Sequence, residues 1–274
     1  MLTNPERIRI YQQAYLPEHL PDYVTAVSAA QPHLISDHLC LYRQQHLVFI
    51  GYPLGNPDAE TPRVYEAACK LFQPSTVAII APTIWFPEQT YVKQPPDHYY
   101  RLNLPLDFLN PAVTYMVRRA ERELVVNQGQ FSKEHKKLVQ SYLRGYDLRP
   151  AQKYIFTQIP RYLKISATAR LLEARKKKAL VAFTVVDVGS ADYAFYLFNF
   201  RSDQINVPGA SDLLFREMVK LTQAEGKKAI NLGLGVHAGI RHFKEKWGGV
   251  PFCSHASAYI SREPMVSGRL VDKL

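Results

Sequence analysis

The hydrophobic pattern divides the chain into two halves in which the same elements follow one another. Residues 38–55 contain two apolar, β-rich runs separated by a polar Arg-Gln-Gln triplet, which predicts a hairpin. Residues 179–200 show the same pattern around a Gly-Ser-Ala-Asp turn. In each half a loop, an amphipathic helix and a short apolar strand follow, near residues 62–81 and 210–234. The repeated order predicts an α/β protein with a degenerate internal repeat.

Helical segments are predicted between the two halves. Asn110 is a candidate N-cap followed by a proline at the first helical position, and this helix is expected to end before Gly129. Ser132 is the candidate N-cap of a second helix, which ends at Gly145. A third helix is predicted over residues 160–175.

A glycine pattern follows the last predicted strand of the repeat. Residues 233–249 read GLGVHAGIRHFKEKWGG, and Gly233, Gly235 and Gly239 between a strand and a helix approach a dinucleotide-binding fingerprint. A dinucleotide fold needs a βαβαβ unit with an acidic residue at the end of its second strand. Only one strand follows here, and Glu263 comes late, with 11 residues after it. The pattern therefore disfavours an oxidoreductase.

A loop before the long helix of the second half is better suited to phosphate. Backbone N–H groups at a helix start, together with the helix dipole, hold phosphate without a basic side chain. The loop resembles the acyl-CoA pyrophosphate loop Q/R-x-x-G-x-G/A of the GNAT superfamily (general N-acetyltransferases), with Val207 in place of the first glycine. The resemblance implies five candidates for donor binding: Gln204, Asn206, Gly209, Ala210 and Ser211. The alternative is a turn that only caps the helix.

The segment after the next strand extends this resemblance. It is similar to the segment of Fem-type peptidyltransferases and phosphatidylglycerol aminoacyl-transferases that reads as a glycine and then R-F-K-x-x-F/W-G-G. The matching residues are Gly239, His242, Phe243, Lys244, Trp247, Gly248 and Gly249, with His242 in place of the arginine. The resemblance covers about residues 179–260, and a weaker copy lies at residues 38–81. It implies two GNAT-like mixed-sheet modules in tandem, the first degenerate, joined by helices.

The same resemblance implies a transferase. The expected reaction moves an acyl or aminoacyl group from acyl-CoA or aminoacyl-tRNA to an amine or hydroxyl. Phe243 and Trp247 are expected to face the core. Lys244 stands roughly where many N-acetyltransferases carry a tyrosine that protonates the leaving thiolate, so it is the candidate catalytic residue, and Arg241 is a candidate for the donor's charge. The alternatives are a solvated Lys244 and an ion pair between Arg241 and Glu245.

The expected domain organisation follows from the two copies. Residues 1–110 form a degenerate N-terminal module, residues 111–150 a basic helical connector, and residues 151–274 the active C-terminal module. The loop of the first module contains prolines, which lack an N–H group, and carboxylates, which repel phosphate. These residues are Pro53, Pro57, Asp58 and Glu60. We therefore expect the first module to be structural or to serve as an acceptor platform.

The charge of the chain is concentrated in its middle. The formal net charge is +10, and residues 111–178 hold 16 Lys/Arg against 5 Asp/Glu. Such a segment favours an anionic partner, for example tRNA or anionic lipid head groups, although a solvated basic surface would have the same composition. The alternative function is a catalytically silent GNAT-like protein that binds nucleic acid or another polyanion through this segment.

Composition excludes several other classes. The start MLTNPERIRIYQQ has no apolar segment typical of a signal peptide, and no run is long enough to span a bilayer, so we expect a cytoplasmic protein. Three distant cysteines and nine scattered histidines predict neither a disulfide framework nor a metal site.

Overall fold

The structure is a computed structural model that describes residues 2–55, 60–87, 92–93, 95–106 and 110–261. Pro57, Asp58 and Glu263, which entered the sequence predictions, lie outside the described residues. The helices are α1 (Asn4–Gln13), α2 (Pro21–Ser28), α3 (Thr61–Phe72), α4 (Pro111–Glu121), α5 (Lys133–Gly145), α6 (Pro150–Thr157), α7 (Ile159–Ile165), α8 (Ala210–Ala224) and α9 (Ala238–Lys246), and a short 3₁₀ turn spans Pro17–His19. The strands are β1 (Gln31–Ile35), β2 (His38–Arg43), β3 (His46–Ile50), β4 (Thr76–Ala81), β5 (Val92–Lys93), β6 (Asp97–Asn103), β7 (Val125–Gly129), β8 (Ala169–Lys176), β9 (Ala179–Asp187), β10 (Tyr193–Arg201), β11 (Ala229–Leu234) and β12 (Val250–Ser261).

One mixed sheet joins the strands in the order β1-β2-β3-β4-β12-β6-β11-β10-β9-β8-β7, and β5 pairs with β12 beside this path. Most neighbours are antiparallel, while β3 with β4 and β10 with β11 are parallel. Each parallel pair is connected by a helix, α3 in the first half and α8 in the second. The α/β class is therefore confirmed.

Two strands belong to both halves of the sheet. The first part of β12, from Val250 to His255, pairs with β6, and the second part, from Ala256 to Ser261, pairs with β4. Strand β6 precedes the predicted boundary at residue 110, yet it also pairs with β11 of the second half. The division at residues 110 and 150 stays a prediction, and strand pairing crosses it.

The helices form layers on the two faces of the sheet. Helices α4 and α8 pack with Trp247 against one face of β8–β11. Helices α5 and α7 pack with aromatic residues of β9 and β10 against the opposite face. In the first half, the segment from α1 to α2 covers one face of the sheet and α3 the other. Among the described residues, no helix is long and apolar enough to cross a membrane.

Two helix predictions are wrong in their extent. The helix that begins at Pro111 ends at Glu121, and the residues before Gly129 form β7. The region predicted as one helix over residues 160–175 contains α7 and then β8, which pairs with β7 on one side and β9 on the other. Sheet pairing satisfies the backbone of both segments, and this outweighs their local helical pattern. Helix α6 was not predicted; none of its residues is fully buried, and Ile155 and Phe156 pack only partly against the core.

Strands β6 and β12, which pair with strands of both halves, should make the two halves unfold together. Phe49 in the first half and Phe183 in the second are fully buried, so each change to alanine should cost about 3–5 kcal/mol. Trp85 packs in the first half and Trp247 in the second. In a variant that keeps only one of these two tryptophans, the fluorescence of that residue reports the unfolding of its own half. We expect each Phe→Ala variant to shift both signals to the same lower denaturant midpoint. Two separate transitions, each moved by one variant only, would contradict the coupling.

Candidate functional site

Strands β10 and β11 separate after a short parallel contact. They pair only from Tyr193 to Phe195 and from Ala229 to Asn231. Strand β10 continues to Arg201 and β11 to Leu234 without further pairing between them among the described residues. Their diverging ends leave backbone groups of β10 available on the side that faces β11. Helix α8 follows β10 in the chain, and α9 follows β11.

The predicted phosphate loop leads into α8. Gly209 has φ +83° and is the N-cap of this 15-residue helix. The N–H of Ala210 donates to the carbonyl of Val207 at 3.2 Å, which closes a tight turn. The N–H groups of Ser211 and Asp212 lie in the first helical turn, where no carbonyl within the helix can accept them. The loop therefore has the donors and the dipole that an anion requires.

Helix α4 packs directly behind this loop. A Cβ atom on Gly209 would lie 2.2 Å from the carbonyl oxygen of Met116, so only glycine fits there. Val207, in the place of the first glycine of the resembled pattern, is buried in the core shared with α4 and α8. The glycine at 209 is thus needed for helix packing as well as for the turn, a requirement that the sequence pattern did not indicate.

A cavity of about 1000 Å³ lies between the loop, the end of β10, the end of α5 and α9. Four of the predicted donor-binding residues line it, namely Asn206, Gly209, Ala210 and Ser211. Gln204 does not belong to its lining, and the Gln204 N–H donates to the Ser202 hydroxyl at 3.1 Å while the residue is exposed. The spacing on which Gln204 was chosen therefore does not bring it into the cavity.

A polar network in the cavity involves residues that were not predicted as site residues. Asp212 is buried and accepts hydrogen bonds from Trp247 Nε1 at 2.9 Å and from Lys246 Nζ at 2.7 Å. Asn199 Nδ2 donates to the Ser211 hydroxyl at 3.2 Å, while its Oδ1 is buried without a partner among the described residues. Only the tryptophan could have signalled this network from the sequence, because a buried indole N–H usually needs an acceptor.

The candidate catalytic residue lies outside this cavity. Lys244 is 3% exposed, and its Nζ donates to the carbonyl of Leu234 at 2.6 Å, at the end of β11. Nζ also lies 5.5 Å from the centre of the Tyr100 ring. Burial lowers the pKa of Lys244 to about 7, and the Asp97 carboxylate opposes this shift. The alternative of a solvated lysine is therefore wrong, although its catalytic role stays a prediction.

Asp97 also holds the loop between β11 and α9. Its carboxylate accepts the N–H groups of Gly235 at 3.1 Å and Val236 at 2.7 Å. A dinucleotide phosphate would need these same N–H groups, and the carboxylate would repel it.

The side chain of Arg241 runs beside Gly235, is exposed and does not belong to the lining of the α8 cavity. Within the described part of the chain, no group of His, Cys, Asp or Glu could hold a metal ion.

The prediction that Phe243 and Trp247 face the core is confirmed for Trp247 and holds only partly for Phe243. Trp247 is 2% exposed and packs against Phe215 with ring centres 4.6 Å apart. Phe243 is half-buried against the same ring and also lines the cavity. Phe243 therefore serves both the core and the site.

Solved structures share this fold. The C-terminal DUF2156 domain of a protein described as a lysylphosphatidylglycerol synthetase from Agrobacterium fabrum superposes with a TM-score of 0.63 at 13% identity, over 96% of this chain and 93% of that chain. FemX gives a TM-score of 0.64 at 10% identity, over 93% and 96% of the two chains. A tandem GNAT protein from the clavulanic acid biosynthesis pathway gives 0.51 at 13% identity, over 83% and 79%.

These similarities confirm the fold that the sequence motifs implied. The tandem GNAT architecture and the likeness to Fem-type and lysylphosphatidylglycerol synthetase domains are present in three dimensions. No protein-family model and no curated protein matches the chain.

Lys246 should contribute to anion binding in the α8 cavity. Replacing Lys246 by methionine removes the cation that neutralises Asp212, so an entering phosphate would meet an unpaired carboxylate. We expect Lys246→Met to weaken binding of coenzyme A or inorganic pyrophosphate by about tenfold or more in calorimetry. Lys220→Met, on the exposed side of α8, is the matched control. Equal affinity in the two variants would remove Lys246 from the anion site.

Proposed function

We propose that the protein transfers an acyl or aminoacyl group from an activated donor to an amine or hydroxyl. The observation that supports this most is the cavity that the start of α8 shares with the end of β10, the strand that separates from β11 after a short parallel contact. The fold shared with FemX and with a domain described as a lysylphosphatidylglycerol synthetase supports the same class of reaction.

The donor's phosphate would bind at the start of α8. The N–H groups of Ser211 and Asp212, which have no acceptor within the helix, point along the helix axis, and Lys246 neutralises the Asp212 carboxylate beside them. Gly209 and Ala210 form the turn that aims these groups, and Asn206 lines the same cavity. The unpaired Asn199 Oδ1 could accept an N–H or O–H group from the rest of the donor.

The chemical step would take place at the diverging strands. The acceptor's nitrogen or oxygen attacks the donor carbonyl, a C–N or C–O bond forms, and the bond to the sulfur or oxygen of the donor breaks. N–H groups of β10 are suited to stabilise the oxyanion. Lys244 would give a proton to the leaving group and, as a neutral amine, take the proton that the attacking nitrogen or oxygen loses. This requires that the carbonyl lie near Leu234 at the end of β11. Arg241, as the sequence motif implies, would balance charge at the same end of α9.

The donor class depends on a second surface. Helix α4, whose Met116 carbonyl contacts Gly209, carries an arginine face made of Arg118, Arg119 and Arg122 around the 64% exposed Tyr115. The nearest acidic residues pair elsewhere, Glu121 with Arg216 and Glu123 with Lys176. A donor attached to tRNA could use this face for its phosphates, whereas acyl-CoA would need only the α8 cavity. The face is also the observation that favours the alternative, a silent polyanion-binding protein.

The experiment that tests the function uses purified protein with labelled donors. A stability screen against acyl-CoAs, aminoacyl-tRNA and anionic lipid identifies the ligand that raises the melting temperature. A transfer assay with that ligand and a panel of amines and alcohols then measures turnover. Stabilisation by polyanions without transfer from any donor would favour the silent binding protein.

Lys244 should control the pH dependence of turnover. As an acid it acts only when protonated, so activity should fall as the pH rises through about 7, the pKa of Lys244. Asp97 raises that pKa, so Asp97→Asn should move the fall in activity to lower pH. Lys244→Met should lower kcat by about 10- to 1000-fold with donor affinity unchanged, because the charge it meets develops in the transition state.

Exposed Lys228→Met serves as the control for these measurements. Full activity in Lys244→Met would show that the lysine has no catalytic role. The same conclusion would follow if Asp97→Asn did not change the pH at which activity falls.

The arginine face should bind phosphates in proportion to its charge. Changing Arg118, Arg119 and Arg122 to glutamate should weaken binding of tRNA and reduce its salt dependence by about one unit of slope per lost phosphate contact. Acyl-CoA binding should change little. Lys70→Glu, an exposed lysine of the first half, is the control. A salt slope that stays the same would mean that the face only aids solubility.

A further inference from the structure

Two stacked tyrosines form part of the wall of the α8 cavity. Tyr142 and Tyr146 lie one helical turn apart at the end of α5, and their ring centres are 4.5 Å apart at an angle of 31°. The Tyr142 ring is held in place by Phe156 and Phe200, which lie nearly perpendicular to it at 5.8 Å and 5.3 Å between ring centres. Tyr146 is 56% exposed, and Tyr142 is its only ring contact among the described residues. The wall therefore ends in a supported tyrosine ring that solvent can reach.

This aromatic wall is tied to the loop that leads into α8. Ser141, the neighbour of Tyr142 in α5, donates its hydroxyl to the Asp203 carboxylate at 2.6 Å, and Asp203 lies between β10 and α8. The same cavity, of about 1000 Å³, is lined by Gly209 and Ser211 at the start of that helix. Cavities that bind small ligands measure about 300–1000 Å³, so a single ligand of nucleotide size can reach both the tyrosines and the helix start.

The cavity also contains a cation that is available to an anion. Arg201, at the end of β10, lines the cavity and is exposed, and it forms no ion pair within the part of the chain that the structure describes. The two carboxylates of the lining already have protein partners, Asp203 with Ser141 and Asp212 with Lys246. Arg201 can therefore add a charge-assisted hydrogen bond to a phosphate that enters the cavity.

These features match the two parts of a nucleotide. A nucleobase stacks on an aromatic side chain through its flat π-face, and an exposed ring on a rigid support is suited to this contact. The phosphate of the same molecule can accept from the N–H groups of the first turn of α8 and from Arg201. A phosphate alone would leave the exposed ring without a contact, and an apolar chain would leave the helix start and Arg201 without an anion.

We propose that Tyr146, supported by Tyr142, stacks on the adenine base of the donor, so that the α8 cavity binds an adenine nucleotide. The inference rests on the proposed transferase function. Both donor classes contain this group, because coenzyme A is built on an adenosine nucleotide and tRNA ends in an adenosine. Adenine is therefore the chemistry that the two donors share. Tyr146 acts in binding and takes no part in the chemical step.

Two small ligands isolate the contact with the base. Adenosine 5′-monophosphate and ribose 5-phosphate differ only in the base, and calorimetric titration gives the affinity of each. Wild-type protein should bind the nucleotide about fivefold or more tightly than the sugar phosphate. Tyr146→Leu should abolish this ratio, whereas Tyr146→Phe, which retains a ring, should preserve it. Tyr154→Leu changes a 46% exposed tyrosine of α6 that does not line the cavity, and it is the matched control.

The ratio of the two affinities is taken within one variant, so a change in phosphate binding or in stability affects both ligands alike. Equal affinities in wild type, no binding of the nucleotide, or a ratio that persists in Tyr146→Leu would each overturn the base site. A ratio that Tyr154→Leu also abolishes would contradict the assignment to Tyr146.

Two longer ligands distinguish the source of the adenine. Coenzyme A and the trinucleotide cytidine-cytidine-adenosine each contain one adenosine. A loss of about fivefold or more in Tyr146→Leu for coenzyme A alone assigns the site to acyl-CoA, and the same loss for the trinucleotide alone assigns it to aminoacyl-tRNA. No loss for either ligand would overturn the proposal that the site serves the donor. None of these ligands carries an acyl group, so the outcomes are independent of transfer, and the transferase proposal fails separately if no donor supports turnover.

Discussion

Everything in this structure depends on the pairing of β12 with two different neighbours. Its first part pairs with β6 and its second part with β4, so this one strand joins the two halves of the sheet. β6 comes from early in the chain and completes the sheet next to β11. As a result, Asp97 on β6 reaches the loop that precedes α9, and residues distant in sequence share the end of β11.

Two lysines of α9 lie in different environments. At the start of α8, the N–H groups of the first helical turn and the pairing of Lys246 with Asp212 form an arrangement suited to an anion. Lys244 is buried at the end of β11, where burial lowers its pKa to about 7, so its charge changes near neutral pH.

Packing explains why the loop before α8 departs from the resembled pattern. Val207 fills the core that α4 and α8 share, and Gly209 allows the Met116 carbonyl to approach closely. Helix α4 thus supports the loop from behind, and its outer side is free to expose arginines. Helix α4 therefore connects the basic segment of residues 111–178 to the cavity at the start of α8. The composition of the chain alone could not indicate this connection.

The sequence by itself determined the α/β class, the hairpins and the helix after each hairpin, because these depend on local periodicity and turn chemistry. The resemblance also selected the loop whose residues Asn206, Gly209, Ala210 and Ser211 line the cavity, and their role stays a prediction. It could not determine that β7 and β8 are strands, since their backbone is satisfied only by partners elsewhere in the sheet. It also could not distinguish Lys244 from Lys246. The two lie on one short helix, and only the tertiary structure decides that Lys244 is buried against Leu234 while Lys246 faces the cavity.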